Sequence, residues 1–265
     1  MQLTMLGVGS SAGTPMIGCQ CDTCQSNDHR NKRTRCSSLI TLDNGKSILI
    51  DTGPDLRQQA LREGLKSVDA VLYTHTHADH MHGIDDLRAF CQRQRAQIPL
   101  FGSSQTVSHI TEKFGYTLRE PGNFWDLPVL KAHAISAPFE LFGTLVTPIP
   151  VKHGNSDIYG YRIGNFAYIT DVSEIPDSSI PLLENLEVLL LDCLRLDAHY
   201  SHINLEQSLR YASLIKAETT YLIHMTHELE YATLTAALPD GVSVGYDGLK
   251  INIKASTLIS EQSLC

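Results

Sequence analysis

The sequence predicts an α/β fold built as a four-layer αββα sandwich, with two packed β-sheets between outer helices. Short apolar runs that are typical of strands recur along the chain in two successive groups, with helical segments between them. This pattern favours two sheets covered by helices. Composition agrees with a sizeable core, since 42% of the 265 residues are hydrophobic and 19% are charged.

The first half of the chain alternates predicted strands and helices. Strands are predicted at residues 2–8, Ser37–Leu42, Lys46–Asp51, Val68–Tyr73 and Ile98–Gly102, and helices at Pro54–Glu63, Ile84–Arg95 and residues 104–115. The sequence Asp43-Asn44-Gly45 is a hairpin signal between two of these strands. Pro54 and Gly64 are residue types common at the start and just beyond the end of a helix, respectively.

The second half of the chain also contains predicted strands and helices. Strands are predicted at Leu141–Val151, Ile158–Ile163, Phe166–Thr170, Leu186–Leu191, Thr219–Ile223 and residues 242–246 and 249–253, with a helix at residues 204–216 and a short helix before the last two strands. Pro148 and Pro150 predict a break in the first of these strands, because proline lacks the N–H group that a strand interior uses. Residues 116–138 show no clear pattern and are expected to form either a loop or a strand insert near the site.

No segment has the composition of a linker, so we expect one domain over residues 1–254, with a Cys-rich zinc loop at about residues 15–36 inside it. The tail at residues 255–265 lacks pattern and is predicted to be disordered.

Charge and hydropathy limit the classes of function. The net charge of −8 argues against a broad electrostatic grip on nucleic acid. The first residues lack the basic region and long apolar stretch of a signal peptide, and no apolar run approaches the ~20 residues of a membrane span. We therefore expect a cytoplasmic protein without membrane association and with reduced cysteines.

The strongest functional signal directly follows the predicted strand Val68–Tyr73. The next seven residues read THTHADH, an H-x-H-x-D-H motif. Side chains alternate along an extended segment, so His75 and His77 point the same way, and Asp79 and His80 follow where the chain turns toward a helix. Three imidazoles and a carboxylate are costly to bury unless something pairs them, and divalent zinc, iron or manganese does so.

A second cluster consists of Cys19, Cys21 and Cys24. Three thiols at this spacing are typical of a zinc site, but a tetrahedral structural site needs a fourth ligand. His29 is the nearest candidate in the sequence, and the alternative is a set of free or catalytic thiols. The basic segment at residues 29–35 is predicted to be a solvated loop, with a role in phosphate binding as the alternative.

Further potential ligands follow later strands. His153, Asp171 and His224 each come at the end of a predicted strand. Strand ends on one edge of a sandwich can converge in space, and binding sites collect there, although a linear sequence does not reveal convergence. Asp51 also ends a strand and is expected either to support a metal ligand or to cap a helix.

The order of these residues resembles the metallo-β-lactamase superfamily of metallohydrolases, and the match covers nearly the whole chain. The resemblance implies the metallo-β-lactamase fold and two divalent active-site ions, Zn²⁺ or Mn²⁺. In the implied ligand set one metal is held by His75, His77 and His153, the second by Asp79, His80 and His224, and Asp171 bridges both. Two such metals share a hydroxide that can attack phosphorus.

The Cys loop makes the resemblance more specific. It is similar to the loop of the PhnP-type phosphodiesterases associated with the carbon–phosphorus lyase pathway. These proteins are similar to transfer-RNA 3′-processing endonucleases but lack the long arm that grips tRNA. In that family three such cysteines and a His hold one structural Zn²⁺, and this His follows shortly after the last active-site His. The resemblance therefore implies His227 as the fourth ligand.

The resemblance implies a metal-dependent phosphodiesterase of small, cyclic substrates such as phosphoribosyl 1,2-cyclic phosphate or a nucleoside cyclic phosphate. Asp79 and His202 are the expected catalytic residues, with His199 as a competitor for the role of the non-ligand His. The alternatives are a tRNA 3′-processing-type endonuclease, a thioester or lactam hydrolase of the same fold, and an accessory or carrier protein similar to PqqB. Because family members are often dimers, the resemblance also suggests a homodimer.

Overall fold

Two seven-stranded sheets form the centre of the molecule in a computed structural model that describes residues 1–120 and 127–254. The strands are β1 Gln2–Gly7, β2 Ser37–Thr41, β3 Ser47–Ile50, β4 Ala70–Leu72, β5 Ile98–Gly102, β6 Leu130–Ala134, β7 Phe139–Leu141, β8 Thr144–His153, β9 Ser156–Ile163, β10 Phe166–Ile169, β11 Val188–Asp192, β12 Thr219–Ile223, β13 Val242–Val244 and β14 Lys250–Asn252. The α-helices are α1 Asp22–Gln25, α2 Leu56–Glu63, α3 Ala78–Met81, α4 Leu87–Gln94, α5 Ser104–Phe114, α6 Leu205–Ile215 and α7 Tyr231–Ala237. The tail at 255–265, predicted to be disordered, lies outside the described residues.

The order of the strands brings several carboxyl ends to one edge of each sheet. The first sheet runs β14-β1-β2-β3-β4-β5-β6 and the second runs β13-β12-β11-β10-β9-β8-β7. Strands β3 to β6 are parallel to one another, and so are β10 to β13. β8 is antiparallel to β9, which is antiparallel to β10, so β8 and β10 point the same way.

Three apolar clusters hold the layers together, and the alternation of side chains along each strand decides which cluster a residue joins. Leu190 of β11 lies in the cluster between the two sheets, whereas its neighbours Leu189 and Leu191 pack with Ile215 of α6. In the first sheet, Leu49 of β3 joins the cluster that also contains apolar residues of α2, α4 and α5. Helices therefore cover the outer faces of both sheets, which confirms the predicted αββα sandwich.

The predicted break at Pro148 and Pro150 is wrong, because β8 runs without interruption from Thr144 to His153. In this strand the N–H and C=O of Lys152 point away from β9, since both bond to residues 173 and 174 instead. Alternate residues of an antiparallel strand face the same side, so both prolines also face away from β9. A missing N–H on that side removes no bond to β9, and the strand tolerates it.

Within the described ranges, 1–120 and 127–254, no helix is long and apolar enough to cross a bilayer.

Candidate active site

Strand ends from both sheets meet at one edge of the sandwich, and several of them carry a predicted ligand. His75 and His77 follow β4, His153 ends β8, Asp171 lies two residues after β10, and His224 directly follows β12. The remaining two predicted ligands, Asp79 and His80, lie in the short helix α3. The structure brings all seven side chains together.

The seven side chains form two groups of donor atoms that share one carboxylate. The first group comprises His75, His77, His153 and Asp171, the second comprises Asp79, His80, Asp171 and His224, and within each group all the donor atoms lie within 4.8 Å of one another. Oδ1 of Asp171 lies 3.1 Å from His80 Nε2 and 3.2 Å from His224 Nε2. Its Oδ2 lies 3.7 Å from His75 Nε2. Each oxygen of Asp171 thus faces a different group, as a bridging ligand requires.

The imidazole nitrogens that face this centre have the chemistry of a cation site. The Nε2 atoms of His75, His80 and His224 are buried, and none makes a hydrogen bond within the part of the chain that the structure describes. A buried polar atom without a partner costs about 1–3 kcal/mol. Imidazole nitrogens and carboxylate oxygens are ligands that suit zinc, manganese or iron. The residues present therefore fit divalent metal ions.

Burial and neighbouring charges shift the pKa values of the donors in both directions. Burial alone would lower the pKa values of His80 and His224, but nearby carboxylates, Asp171 foremost, outweigh it and raise both, so that a metal bound there would displace a proton from each ring. His75, His153 and Asp171 have the protonation states that ligands need. Burial, reinforced by the nearby His80, holds the pKa of His75 well below its ordinary value, and burial also lowers the pKa of His153. Both rings are therefore neutral, the form that binds metals. Burial alone would raise the pKa of Asp171, but His224 and His80 outweigh it and hold this pKa well below its usual range. The shared carboxylate is ionised at neutral pH.

Asp51, fully buried after β3, orients two of the imidazoles. Its Oδ2 lies 2.7 Å from His80 Nδ1 and accepts a hydrogen bond from the hydroxyl of Thr74 at 2.8 Å. The same hydroxyl lies 2.9 Å from His75 Nδ1. Because these contacts occupy the Nδ1 atoms of His75 and His80, both rings direct their Nε2 atoms toward Asp171. Of the two roles considered for Asp51, the contacts match support of metal ligands.

Sequence analysis missed Asp192, the last residue of β11. Its Oδ2 accepts from Val172 N at 3.0 Å and lies 3.0 Å from His202 Nδ1, while its Oδ1 lies 3.4 Å from His224 Nδ1. Asp192 therefore contacts one predicted ligand, the predicted catalytic His and the backbone next to Asp171. Its place at the end of an apolar strand run, like that of Asp171, was the signal that could have identified it.

Three residues of the site have left-handed backbone conformations. The φ angles are 61° at Asp51, 55° at Asp171 and 59° at His224. For residues other than glycine such conformations cost of order 1–3 kcal/mol each and are concentrated at functional sites. Each of the three lies where the chain leaves a strand, so the turn carries the side chain into the shared edge.

His202 lies beside the donor groups. Its side chain is 11% exposed, and its Nε2 is 4.0 Å from Asp171 Oδ2. Its ring stacks on that of His224, with centroids 4.9 Å apart and an angle of 11° between the planes. The competitor His199 lies farther out, with its ring beside that of His202 at 5.3 Å and its Nδ1 accepting from Ser201 N. The geometry favours His202 as the non-ligand His next to the centre.

The Cys loop forms a separate candidate metal site. Its four donor atoms, from Cys19, Cys21, Cys24 and His227, lie within 4.8 Å of one another. His227 Nδ1 is 3.2 Å from Cys21 Sγ, and this contact is the main reason that the pKa of Cys21 falls to about 6. The thiolate of Cys21, which is the form that binds zinc, therefore predominates at neutral pH, whereas burial raises the pKa of Cys24 to about 11. The sequence-local candidate His29 is exposed and does not join the group.

The prediction of a solvated loop at residues 29–35 is wrong for Arg33, which is 2% exposed. Its guanidinium donates to the backbone oxygens of Thr226 at 2.9 Å and Leu229 at 2.5 Å, on either side of His227. Burial lowers the pKa of Arg33 to about 10, so the group is still charged at neutral pH. Arg33 thus ties the basic segment to the segment that carries His227.

Two cavities differ in their relation to this centre. A small cavity of about 40 Å³ adjoins the three histidines of the first donor group and is also lined by Ser103 and Gln105 at the start of α5. A larger one of about 610 Å³ is lined by Asn44, Phe142 and Asn165 among others. These three lie in the turns before β3, β8 and β10, at the opposite edge from the ligands, so the larger cavity is separate from the candidate active site.

Comparisons with known proteins agree with this geometry. A family model described as a β-lactamase superfamily domain matches residues 46–225, more than half of the chain. An octanoyltransferase from Porphyromonas gingivalis is 37% identical over 257 residues, which cover 94% of this chain and 51% of that protein. The chain thus spans about half the length of that curated relative.

Solved structures give the same assignment. A diphosphatase from the PhnP family is 40% identical and superposes with a TM-score of 0.89, covering 96% of this chain and 98% of that one. Zn²⁺-bound PqqB from Methylobacterium extorquens, at 20% identity, superposes with a TM-score of 0.78 over 96% of this chain and 100% of that one, and shows a shared fold. The chain therefore belongs to the β-lactamase superfamily and has the metallo-β-lactamase fold, with a strong similarity to the PhnP-family structure.

Proposed function

We propose that the protein is a metal-dependent phosphodiesterase that hydrolyses a small cyclic phosphodiester, such as a sugar or nucleoside cyclic phosphate. The observation that carries this proposal is the pair of donor groups that share Asp171, with His202 beside them but outside both groups. Two metal sites joined by one carboxylate are typical of enzymes that displace an oxygen from phosphorus.

The two donor groups have distinct tasks in the proposed reaction. His75, His77 and His153 would hold one divalent ion, Asp79, His80 and His224 the other, and Asp171 would contact both. Such ions, when bound, supply Lewis acidity and make a water acidic enough to lose a proton near neutral pH. Because Asp171 is already ionised at neutral pH, it can contact both ions without first losing a proton.

His202 would act on the leaving oxygen. Its Nδ1 is engaged by Asp192 Oδ2 at 3.0 Å, so its Nε2 is the nitrogen available on the side of Asp171. A protonated Nε2 can donate its proton to the departing alkoxide, and a positioned acid of this kind contributes typically ~10²–10⁴-fold in rate. Asp192 is a positioning residue in this scheme, because it fixes the ring without approaching the substrate.

Charge and similarity support a small substrate. The net charge of −8 disfavours an extended nucleic-acid partner. The PhnP-family neighbour at 40% identity is a diphosphatase, which adds small diphosphate diesters to the compounds that should be tested. The native metals, a structural Zn²⁺ at the Cys loop, a cytoplasmic location and a homodimer remain part of the proposal.

Hydrolysis of an acyl thioester is a second candidate, favoured by the 37% identity to an octanoyltransferase. The aligned residues make up only 51% of that protein, so the other half is long enough to carry the named activity. For that reason we rank thioester hydrolysis below the phosphodiesterase.

The test combines metal analysis with a substrate panel. Protein reconstituted with Mn²⁺ or Zn²⁺ is assayed on bis(4-nitrophenyl) phosphate, cyclic phosphates, diphosphate diesters, an octanoyl thioester, a lactam and precursor tRNA. We expect turnover of phosphodiesters that is lost in Asp171→Asn and retained in the control Asp177→Asn, an exposed aspartate. Faster turnover of the thioester, the lactam or tRNA would replace the proposal. Full metal content without hydrolysis of any substrate would favour a PqqB-like accessory role.

A further inference from the structure

A row of four aromatic rings leads from the candidate metal centre to solvent. The ring of His202 stacks on that of His224 at 4.9 Å, and His199 follows at 5.3 Å from His202. Tyr200 ends the row, with its ring 4.7 Å from that of His199 and an angle of 36° between the planes. His224 and His202 have roles in the proposed reaction, whereas His199 and Tyr200 have none.

We propose that Tyr200 and His199 form a stacking platform for a planar ring of the substrate, so that the preferred diesters carry a nucleobase or a comparable heterocycle. This inference rests on the proposed function and names its substrate class. Tyr200 is 85% exposed, which leaves a ring face free for a ligand. Aromatic side chains beside a phosphate site commonly bind bases in this way, by stacking that depends little on base identity.

The loop that carries these rings is held in place from both sides. Arg195 donates to the backbone oxygens of Asp197 and Ala198 at 3.3 and 3.0 Å, before the rings in sequence. After them, the backbone oxygen of Ser201 lies 2.8 Å from Nδ1 of His153, a predicted ligand. The platform is therefore fixed relative to the metal centre, which lowers the entropy that substrate binding must overcome.

The backbone next to His153 also places Tyr200 at the mouth of the site. Gly154 lies so close to the loop that an added Cβ would be 3.7 Å from Tyr200 Cε2 and 3.3 Å from Ser201 Cβ. A base stacked on Tyr200 would thus lie near the strand end that supplies His153. In such a substrate the sugar connects the stacked base to the phosphate, which can then reach toward the donor groups.

Binding measurements test the platform independently of turnover. We would measure, by isothermal titration calorimetry, the Kd of the metal-loaded protein for AMP and for ribose 5-phosphate, which lacks the base. We expect wild type to bind AMP about tenfold more tightly, within the range that stacking of one base contributes. Tyr200→Ala is expected to abolish most of this difference, while Tyr200→Phe keeps it. Leu61→Ala, at an exposed leucine of α2, is the control and keeps the wild-type ratio.

Kinetics separate this inference from the proposed function. Thymidine 5′-(4-nitrophenyl phosphate) and ethyl 4-nitrophenyl phosphate share a leaving group and differ in the nucleoside, so the ratio of their kcat/KM values reports the platform. We expect Tyr200→Ala to lower this ratio about tenfold, mainly through KM. The platform alone would be overturned if wild type hydrolyses both diesters and Tyr200→Ala leaves the ratio of their kcat/KM values unchanged. Equal Kd values of wild type for AMP and ribose 5-phosphate would have the same consequence. Absence of hydrolysis with an intact binding ratio would overturn the phosphodiesterase alone. A Tyr200→Ala variant that changes subunit association but not the ratio would assign the ring to a subunit contact and reject the platform.

Discussion

Asp192 offers the sharpest test of how the site is assembled, because one carboxylate contacts both His202 and His224. In Asp192→Asn the side chain keeps its size, but one oxygen becomes an NH₂ group. Oδ2 contacts two donors, Val172 N and His202 Nδ1, so the amide oxygen is expected to take that position. The NH₂ group then faces His224 Nδ1, which is 3.4 Å from Oδ1 in the wild type.

This change places two N–H groups against each other unless His224 moves its proton to Nε2. Nε2 is the nitrogen that faces Asp171 and the second donor group. Loss of such an outer partner typically lowers metal affinity or activity ~10–100-fold, which corresponds to about 1.4–2.7 kcal/mol. We expect the weaker metal affinity at the second site, because His224 is a member of the second donor group and not of the first.

The assay is a competition titration of metal-free protein with Zn²⁺ against a chelator, together with kcat for bis(4-nitrophenyl) phosphate. The matched control is Asp197→Asn, an exposed aspartate five residues further along the chain. Circular dichroism establishes that each variant is folded. Wild-type affinity at both sites and a kcat within about twofold of wild type in Asp192→Asn would refute the reasoning.

Four further outcomes are expected. Asp79→Ala removes a carboxylate from the second donor group, so elemental analysis should find less metal and the diesterase rate should collapse; full metal occupancy would contradict this. His202→Ala should keep its metal and lose ~10²–10⁴-fold in kcat, and a fully active variant would remove His202 from the mechanism. In metal-free protein, the rate at which iodoacetamide labels Cys21, measured by peptide mass spectrometry, should increase as the pH rises through about 6, because the contact with His227 lowers the pKa of Cys21 to about 6. His227→Ala should move the midpoint of this pH dependence upward. An unmoved midpoint would argue against His227 as the cause. Leu190→Ala opens space between the two sheets and should lower the free energy of unfolding by about 2–5 kcal/mol in urea titrations, whereas a loss below about 1 kcal/mol would show that the core closes around it.

Prediction from sequence succeeded where the signal lies within a few neighbouring residues. The apolar run Leu186–Leu191 became β11 at Val188–Asp192, and the helical pattern at residues 104–115 became α5 at Ser104–Phe114. Hydrophobic periodicity is sufficient there, because it reflects which faces of an element are buried. The two-sheet architecture followed from the grouping of such runs, and the family comparison confirms it.

Prediction failed where a distant contact overrides the local pattern. Arg33 belongs to a basic segment typical of a solvated loop, but backbone oxygens near His227 bind and bury it. Pro148 is a usual strand breaker, yet it lies inside β8 because its missing N–H faces away from the neighbouring strand. Neither fact can be read from adjacent residues.

The sequence by itself determined most of the strand and helix segments, the donor residues of the H-x-H-x-D-H motif, and the order of the later ligands, but it gave no clear signal for β6. The resemblance to a family implied that these donors divide into two groups around Asp171, and the tertiary structure brings them together in that arrangement. Only the tertiary structure decided that Asp192 contacts both His202 and His224, and that Tyr200 extends a row of rings into solvent. The physical reason is that periodicity and residue type are local properties, whereas donor distances depend on the order and direction of strands that lie far apart in the chain.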